Sequence, residues 1–154
     1  AAAKARDTMG ITLYEWLQQL YVKYGFFREG LVNVVRKGKD GAAEIQQMMV
    51  DYRQTPPTAI LGSPVVKILD YKTLEELDVR TGEKKPIEGI DDKSNVLQWI
   101  TEDGTKVSVR PSGTEPKIKF YFGVKAKLES VDKFDETLAA LDKKLEDIAK
   151  ELKL

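Results

Sequence analysis

The sequence contains no cysteine and no histidine among its 154 residues. Without Cys there is no disulfide, no thiolate nucleophile and no thiolate metal site. Without His, the Ser-His-Asp and Cys-His forms of catalysis, imidazole-bound zinc and a phosphohistidine relay are excluded as well. Net charge is also missing. Twenty-five Lys and Arg balance 25 Asp and Glu, so the chain as a whole is not drawn to nucleic acid or to an acidic membrane. Long apolar runs are absent too: residues 58–61 and 120–124 fall far short of the roughly 20 residues that span a bilayer. The alanine-rich opening stretch 1–7 lacks the apolar centre of a secretory signal. These absences lead to the expectation of a cytoplasmic protein without a membrane partner, whose chemistry rests on carboxylates, hydroxyls, Lys, Arg and backbone amides.

What is present is enough for a core. Hydrophobic residues make up 42% and charged residues 32%, which fits one domain, or one domain with a piece of another. Thr12 and Glu15 have capping-box spacing. Leu13, Trp16, Leu17, Leu20, Tyr21 and Tyr24 then recur at helical steps until Gly25 stops the helix. The alanines before Thr12 read as the end of an earlier helix. Residues 31–37, bounded by Gly30 and Gly38, read as a strand. Asp40 is placed to cap a helix bearing Ile45, Met48, Met49 and Tyr52, closed by Pro56-Pro57. Residues 65–71 form a second strand, expected at a sheet edge. Residues 75–95 are charged, contain Gly82, Pro86 and Gly89, and show no periodicity, so a long irregular loop is expected.

Three strands follow, at 96–101, 106–110 and 117–124, the first two joined by a turn at Glu102-Asp103-Gly104. In the last of them Ile118, Phe120 and Phe122 share one face, and Lys117, Lys119 and Tyr121 the other. Ser130 is placed to cap a final helix with the stripe Val131, Phe134, Leu138, Leu141, Leu145, Ile148 and Leu152. Three heptads are short for a coiled coil, so this helix is expected to pack on the sheet. The fold class is α+β: a mostly antiparallel sheet with two helices packed on one face.

The chemistry concentrates in Arg110-Pro111-Ser112-Gly113-Thr114-Glu115-Pro116-Lys117-Ile118-Lys119. Arg110 offers a planar fork of donors suited to phosphate oxygens. Ser112 and Thr114 add hydroxyls, and Gly113 bares the backbone so that amides donate too. Pro111 and Pro116 stiffen the ends, lowering the ordering cost of binding. The same residue types also make an ordinary turn. Elsewhere, Asp91-Asp92 and Glu102-Asp103 read as solvated carboxylates. Trp16, Tyr21, Tyr24 and Trp99 offer rings to a sugar, though the first three share the helical stripe and suit a core or an interdomain seam. If the stripe is a seam, it leaves an exposed apolar patch.

The ten-residue loop closely resembles the phosphate-binding loop in the C-terminal domain of the α-D-phosphohexomutases, the phosphoglucomutase/phosphomannomutase superfamily, where the pattern is Arg-x-Ser-Gly/Asn-Thr-x-Pro followed by a basic strand. The order of the other elements resembles that domain over nearly the whole chain. The resemblance implies a TBP-like fold for residues 29–154, preceded at 1–28 by the helical tail of a preceding domain and a hinge near Gly25 and Gly30. It implies Arg110, Ser112, Gly113, Thr114 and Lys119 as ligands of the phosphate that is not being transferred; Lys119 stands where many members carry a second Arg. Glu115 is expected to orient Arg110 or face solvent, and Lys117 to be a solvated charge or a substitute for Lys119.

The resemblance further implies a phosphosugar substrate, glucose or mannose phosphate with a bisphosphate intermediate, and Mg²⁺ held elsewhere in the whole enzyme. The phosphoserine, metal and sugar-reading motifs of the family's other domains do not occur in this sequence. No catalytic residue and no metal ligand is therefore expected here, and the chain alone is expected to be inactive, its partners being the N-terminal domains of the same enzyme. Two rival functions share the scaffold: a stand-alone phosphate- or nucleic-acid-binding module, and a purely structural interaction domain.

Overall fold

The computed structural model describes residues 2–38 and 40–154. A short helical turn, α1 (Ala2–Lys4), continues as a π turn to Met9, and α2 (Leu13–Tyr24) follows. The capping box at its start is formed: the Thr12 hydroxyl accepts from the Glu15 N–H at 3.1 Å, and the Glu15 carboxylate accepts from the Thr12 N–H at 2.6 Å. Gly25 ends the helix with φ +97° and ψ 152°. That is an extended, positive-φ conformation open to glycine, rather than the expected left-handed helical one.

Strand β1 (Phe26–Val35) begins directly after it, earlier than the expected residue 31. Gly30 lies inside β1, paired with Phe122, so it does not bound the strand. β1 runs unbroken across positions 28 and 29, and of the two glycines only Gly25 sits at a break in secondary structure.

Helix α3 (Gly41–Gln54) follows, then β2 (Ala59–Ile60), β3 (Ser63–Asp70), β4 (Glu75–Asp78), β5 (Lys84–Pro86), β6 (Leu97–Thr101), β7 (Lys106–Pro111), β8 (Lys117–Ala126) and α4 (Phe134–Glu151). The antiparallel sheet has the order β1-β8-β7-β6-β3-β4-β5, with β2 paired to β3. Strand β3 is therefore internal, not an edge, because β4 covers its outer side. Asp40 occupies the expected cap position of α3, but its side chain makes no capping hydrogen bond. Ser130 precedes a separate 3₁₀ turn (Val131–Lys133) and makes none either; the cap position of α4 falls to Lys133, so the final helix starts later than expected.

The stretch expected to be irregular is half hairpin. β4 and β5 are joined by a turn in which Gly82 has φ +74° and the Asp78 carboxylate accepts from the Arg80 and Thr81 N–H groups. The polar composition hid these strands because both lie toward the outer edge of the sheet. Glu76 is held between Lys67 of β3 and Lys85 of β5 at 2.7 and 3.5 Å, so ion pairs replace the apolar alternation that marks a buried strand.

The sheet has a covered and an open face. Alternation in β8 buries Ile118, Phe120, Phe122 and Val124, as the sequence pattern requires. Helices α3 and α4 lie on this side. Tyr52 of α3 meets Trp99 and Phe120 edge-on at 5.2 and 6.0 Å, and Leu145 of α4 sits over Gly30. Trp99 is 0% exposed, which removes it from any sugar-stacking role. At one end, Tyr21 of α2, Phe26 and Phe134 stack with centroids 4.4 and 4.8 Å apart. That contact docks one side of α2 and leaves Leu13, Tyr14, Leu17, Leu20 and Tyr24 exposed, the apolar patch expected of a seam. No helix is long and apolar enough to cross a membrane among the described residues.

One polar latch ties the β6–β7 turn to α4. Lys144 donates to the Asp103 carboxylate at 2.5 Å, which also accepts from the Thr101 hydroxyl and the Thr105 N–H. Desolvation opposes ionisation of Asp103, but these donors outweigh it and hold its carboxyl well below the usual range. A carboxyl depressed on folding stabilises above its unfolded pKa, about 3.9, and loses that contribution as pH falls toward its folded value. Asp103 is 40% exposed, so screening reduces the gain. Asp103→Asn is expected to cost about 1 kcal/mol at pH 7 and progressively less in acid. Urea unfolding at several pH values checks this, and equal stabilities at pH 7 would contradict it.

Candidate functional site

The ten-residue motif straddles the β7–β8 hairpin. The register places Arg110 of β7 directly opposite Lys119 of β8, and Lys119 opposite Asn33 of β1. Inward-facing Val109, Ile118 and Phe120 are buried, so by alternation Arg110 and Lys119 share the open face. Like charges directly opposite each other are destabilising in a sheet. Neither cation has an ion-pair partner among the described residues. The hairpin thus pays electrostatically for a pair of charges that an anion would neutralise.

Lys117 is different. Its ammonium pairs with Glu115, holding that carboxyl below its ordinary range, with Lys119 adding a smaller pull. Of the two expectations for Glu115, the structure favours the solvent-facing one: its side chain is exposed and pairs with Lys117 rather than Arg110, so Lys117 is not an unpaired solvated charge. By alternation Lys117 shares the open face, but it does not add a third free cation to the pair.

The tip is stiff at its base and open at its apex. The Ser112 N–H donates to the Lys117 C=O at 2.8 Å, and the Lys117 N–H to the Glu115 C=O at 2.7 Å. The Ser112 hydroxyl accepts from the Thr114 N–H at 3.4 Å, so its own proton remains to be donated elsewhere. Gly113 and Thr114 are exposed, and nothing lies within 4 Å of where a Cβ on Gly113 would be. The backbone there faces open space. Ser112, Gly113 and Thr114 therefore sit together at the end of the Arg110–Lys119 pair.

Behind the loop, a cleft of about 290 Å³ separates Ser112, Thr114 and Pro116 from Gly38, Ala42 and Gln46 at the start of α3. The loop is anchored to β1 by the Arg36 N–H, which donates to the Pro116 C=O at 2.9 Å. Sequence reasoning missed Asn33 and Gln46 as neighbours of the site. No local signal marks either, since one arrives by strand register and the other by helix packing. Among the described residues no three His, Cys, Asp or Glu side chains converge as a metal site.

The family description "Phosphoglucomutase/phosphomannomutase, C-terminal domain" matches residues 31–141. A phosphoglucomutase of Staphylococcus saprophyticus is 34% identical over 134 residues, which are 87% of this chain and 23% of that protein. A phosphoglucomutase of Staphylococcus aureus strain MRSA252 is 37% identical over 117 residues, 75% of this chain and 20% of that protein. The solved open form of parafusin, a phosphoglucomutase from Paramecium, aligns with 90% of this chain and 23% of its own, at TM-score 0.45 and 15% identity. The chain thus spans about a fifth of the length of the curated relatives it matches. From the family match across most of its length, carried by relatives more than 30% identical, the chain belongs to the C-terminal domain family of the phosphoglucomutases and phosphomannomutases.

Proposed function

We propose that this chain is the phosphate-gripping domain of a phosphohexose mutase, holding the phosphate that is not transferred while the phosphoryl group moves between the 1 and 6 positions of glucose or mannose phosphate. The observation that carries the reading is the Arg110–Lys119 pair, two cations opposite each other without an ion-pair partner among the described residues, at the mouth of a tip in which Gly113 and Thr114 are exposed and Ser112 half-buried. Arg110 supplies a bidentate fork, Lys119 a point charge, and Ser112 and Thr114 hydroxyl donors. Such a grip fixes one end of the substrate, and binding energy from that non-reacting end pays for orientation at the other.

In this reading the residues before Gly25 belong to a preceding domain and Gly25 serves as the hinge, with the exposed face of α2 turned toward the rest of the enzyme. Mg²⁺ supplies charge neutralisation at the transferring phosphoryl group in enzymes of this type. In this reading the ion is held by a part of the enzyme that this chain does not span; among the described residues no three acidic side chains converge. The nucleophile belongs there too, and the cell compartment is the cytoplasm.

The test is an amide NMR titration of the chain with inorganic phosphate. Shifts concentrated in residues 110–119 are expected, weakening as salt rises because the grip is ionic. Shifts scattered over other basic surfaces, with 110–119 silent, would remove the basis of the reading.

A further inference from the structure

We propose that the free edge of β1 is an interaction surface whose partner is a second copy of this chain, the two β1 strands pairing antiparallel about Leu31 to join the two sheets into one. This contact is independent of the phosphate clamp. The end strands of the sheet are β1 and β5, and they are guarded very differently. β5 is short and reads Lys84-Lys85-Pro86, the kind of edge that resists further pairing. β1 has ten residues with no Lys and no Pro. Its charges are Arg28, which Asp142 holds at 2.7 Å, and Glu29. Phe27, Leu31 and Val35 are each more than half exposed. A long, apolar, unguarded edge is a template for another strand.

The pairing with β8 shows which backbone groups are free. β1 and β8 keep one register throughout. Just past the strand, and in line with that register, the Arg36 N–H donates to the Pro116 C=O. Facing residues of an antiparallel ladder alternate between bonded and non-bonded pairs. The even-numbered residues of β1 therefore turn their N–H and C=O groups to β8. Phe27, Glu29, Leu31, Asn33 and Val35 turn theirs outward, where no strand lies among the described residues.

These five residues complement themselves, which points to a second copy as the occupant. Outward groups must meet outward groups, so odd-numbered residues face odd-numbered ones and the two open faces lie on the same side. With Leu31 opposite the partner's Leu31, Phe27 meets the partner's Val35 and Glu29 meets the partner's Asn33. Apolar side chains then face apolar ones across the seam, and the carboxylate faces an amide donor. Centring on Glu29 sets two carboxylates face to face. Centring on Gly30 or Val32 sets Glu29 against the partner's Leu31 or the partner's Val35, and centring on Asn33 leaves Phe27 and Glu29 without partners. In the Leu31 register all five outward residues pair, and each facing pair exchanges two bonds, about ten in all.

The test is sedimentation of the 154-residue chain from micromolar to millimolar concentration, where a reversible monomer–dimer equilibrium is expected. Leu31→Lys sets two lysines face to face at the centre and should weaken the dimer at least tenfold. Asn33→Pro should weaken it too, because it removes an outward N–H and no bond within the chain. The chain has no cysteine, so an introduced thiol is unique. Oxidised Leu31→Cys should cross-link, since facing bonded residues have Cα atoms about 5.5 Å apart. Val35→Cys should not, its two copies lying about 27 Å apart along the seam. Leu31→Cys replaces an exposed side chain, so it reads the contact even where Leu31→Lys disturbs the fold. A monomer at every concentration overturns the proposal. A dimer that Leu17→Asp disperses and Leu31→Lys leaves intact assigns the contact to α2 and overturns it as well. Cross-linking of Val35→Cys in preference to Leu31→Cys overturns the register, and the self-pairing with it.

Discussion

Arg110→Ala is expected to reduce inorganic phosphate binding at least tenfold while leaving the melting temperature unchanged or slightly raised. The two halves of that result have one cause. Arg110 stands opposite Lys119 with no acidic partner among the described residues, so the folded chain gains nothing from its charge and tolerates a local repulsion. A bound phosphate reverses the balance, because the guanidinium then makes charge-assisted, paired hydrogen bonds. Arg110→Lys should fall between wild type and Ala, since it restores charge without the planar fork. A structural arginine would behave oppositely, with stability lost on truncation. Thermal unfolding with and without phosphate measures both quantities, and a lowered melting temperature with unchanged phosphate stabilisation would show that Arg110 supports the hairpin instead.

Gly41→Ala is expected to destabilise the chain by about 2–4 kcal/mol, at the upper end for a single added methyl group. Helix propensity alone gives the opposite sign, since alanine is favoured over glycine in a helix by about 1 kcal/mol. The structure reverses it because Gly41 is buried against the end of β1. A Cβ there would lie 2.2 Å from the Arg36 carbonyl oxygen and 2.9 Å from its carbon. Both are backbone atoms, with no flexible side chain to swing away. Either the first turn of α3 or the end of β1 must move. The Arg36 N–H also holds the Pro116 C=O, so the displacement reaches the loop. Phosphate affinity is therefore expected to fall together with stability. Chemical denaturation beside the phosphate titration checks both, and a stabilised variant would show that the contact yields easily.

Much of the fold was legible because its signals are local. The capping box of Thr12 and Glu15, the alternation of Ile118, Phe120 and Phe122, and the stripe from Phe134 to Ile148 each need only neighbours in the chain. The β4–β5 hairpin was not legible, because its strands are short and Glu76 is satisfied by lysines on the strands either side. Period and hydrophobicity carry no trace of that pairing. Caps were over-read at Asp40 and Ser130, since residue type marks a position without fixing whether the side chain turns inward.

The sequence by itself determined which side-chain chemistry is open to this protein and, through the loop at 110–119, which family it belongs to. Lacking Cys and His, it is left with a basic, hydroxyl-bearing loop at 110–119, and that motif pointed to the family before any contact was known. Only the tertiary structure decided which charges in the loop are free. Lys117 and Lys119 are two residues apart and chemically identical, yet one is paired with Glu115 and the other faces Arg110 with no ion-pair partner among the described residues. The reason is physical: charge availability depends on distances across strands and around turns, and strand register is set by the buried pattern of the whole sheet rather than by the residues whose charges it brings together.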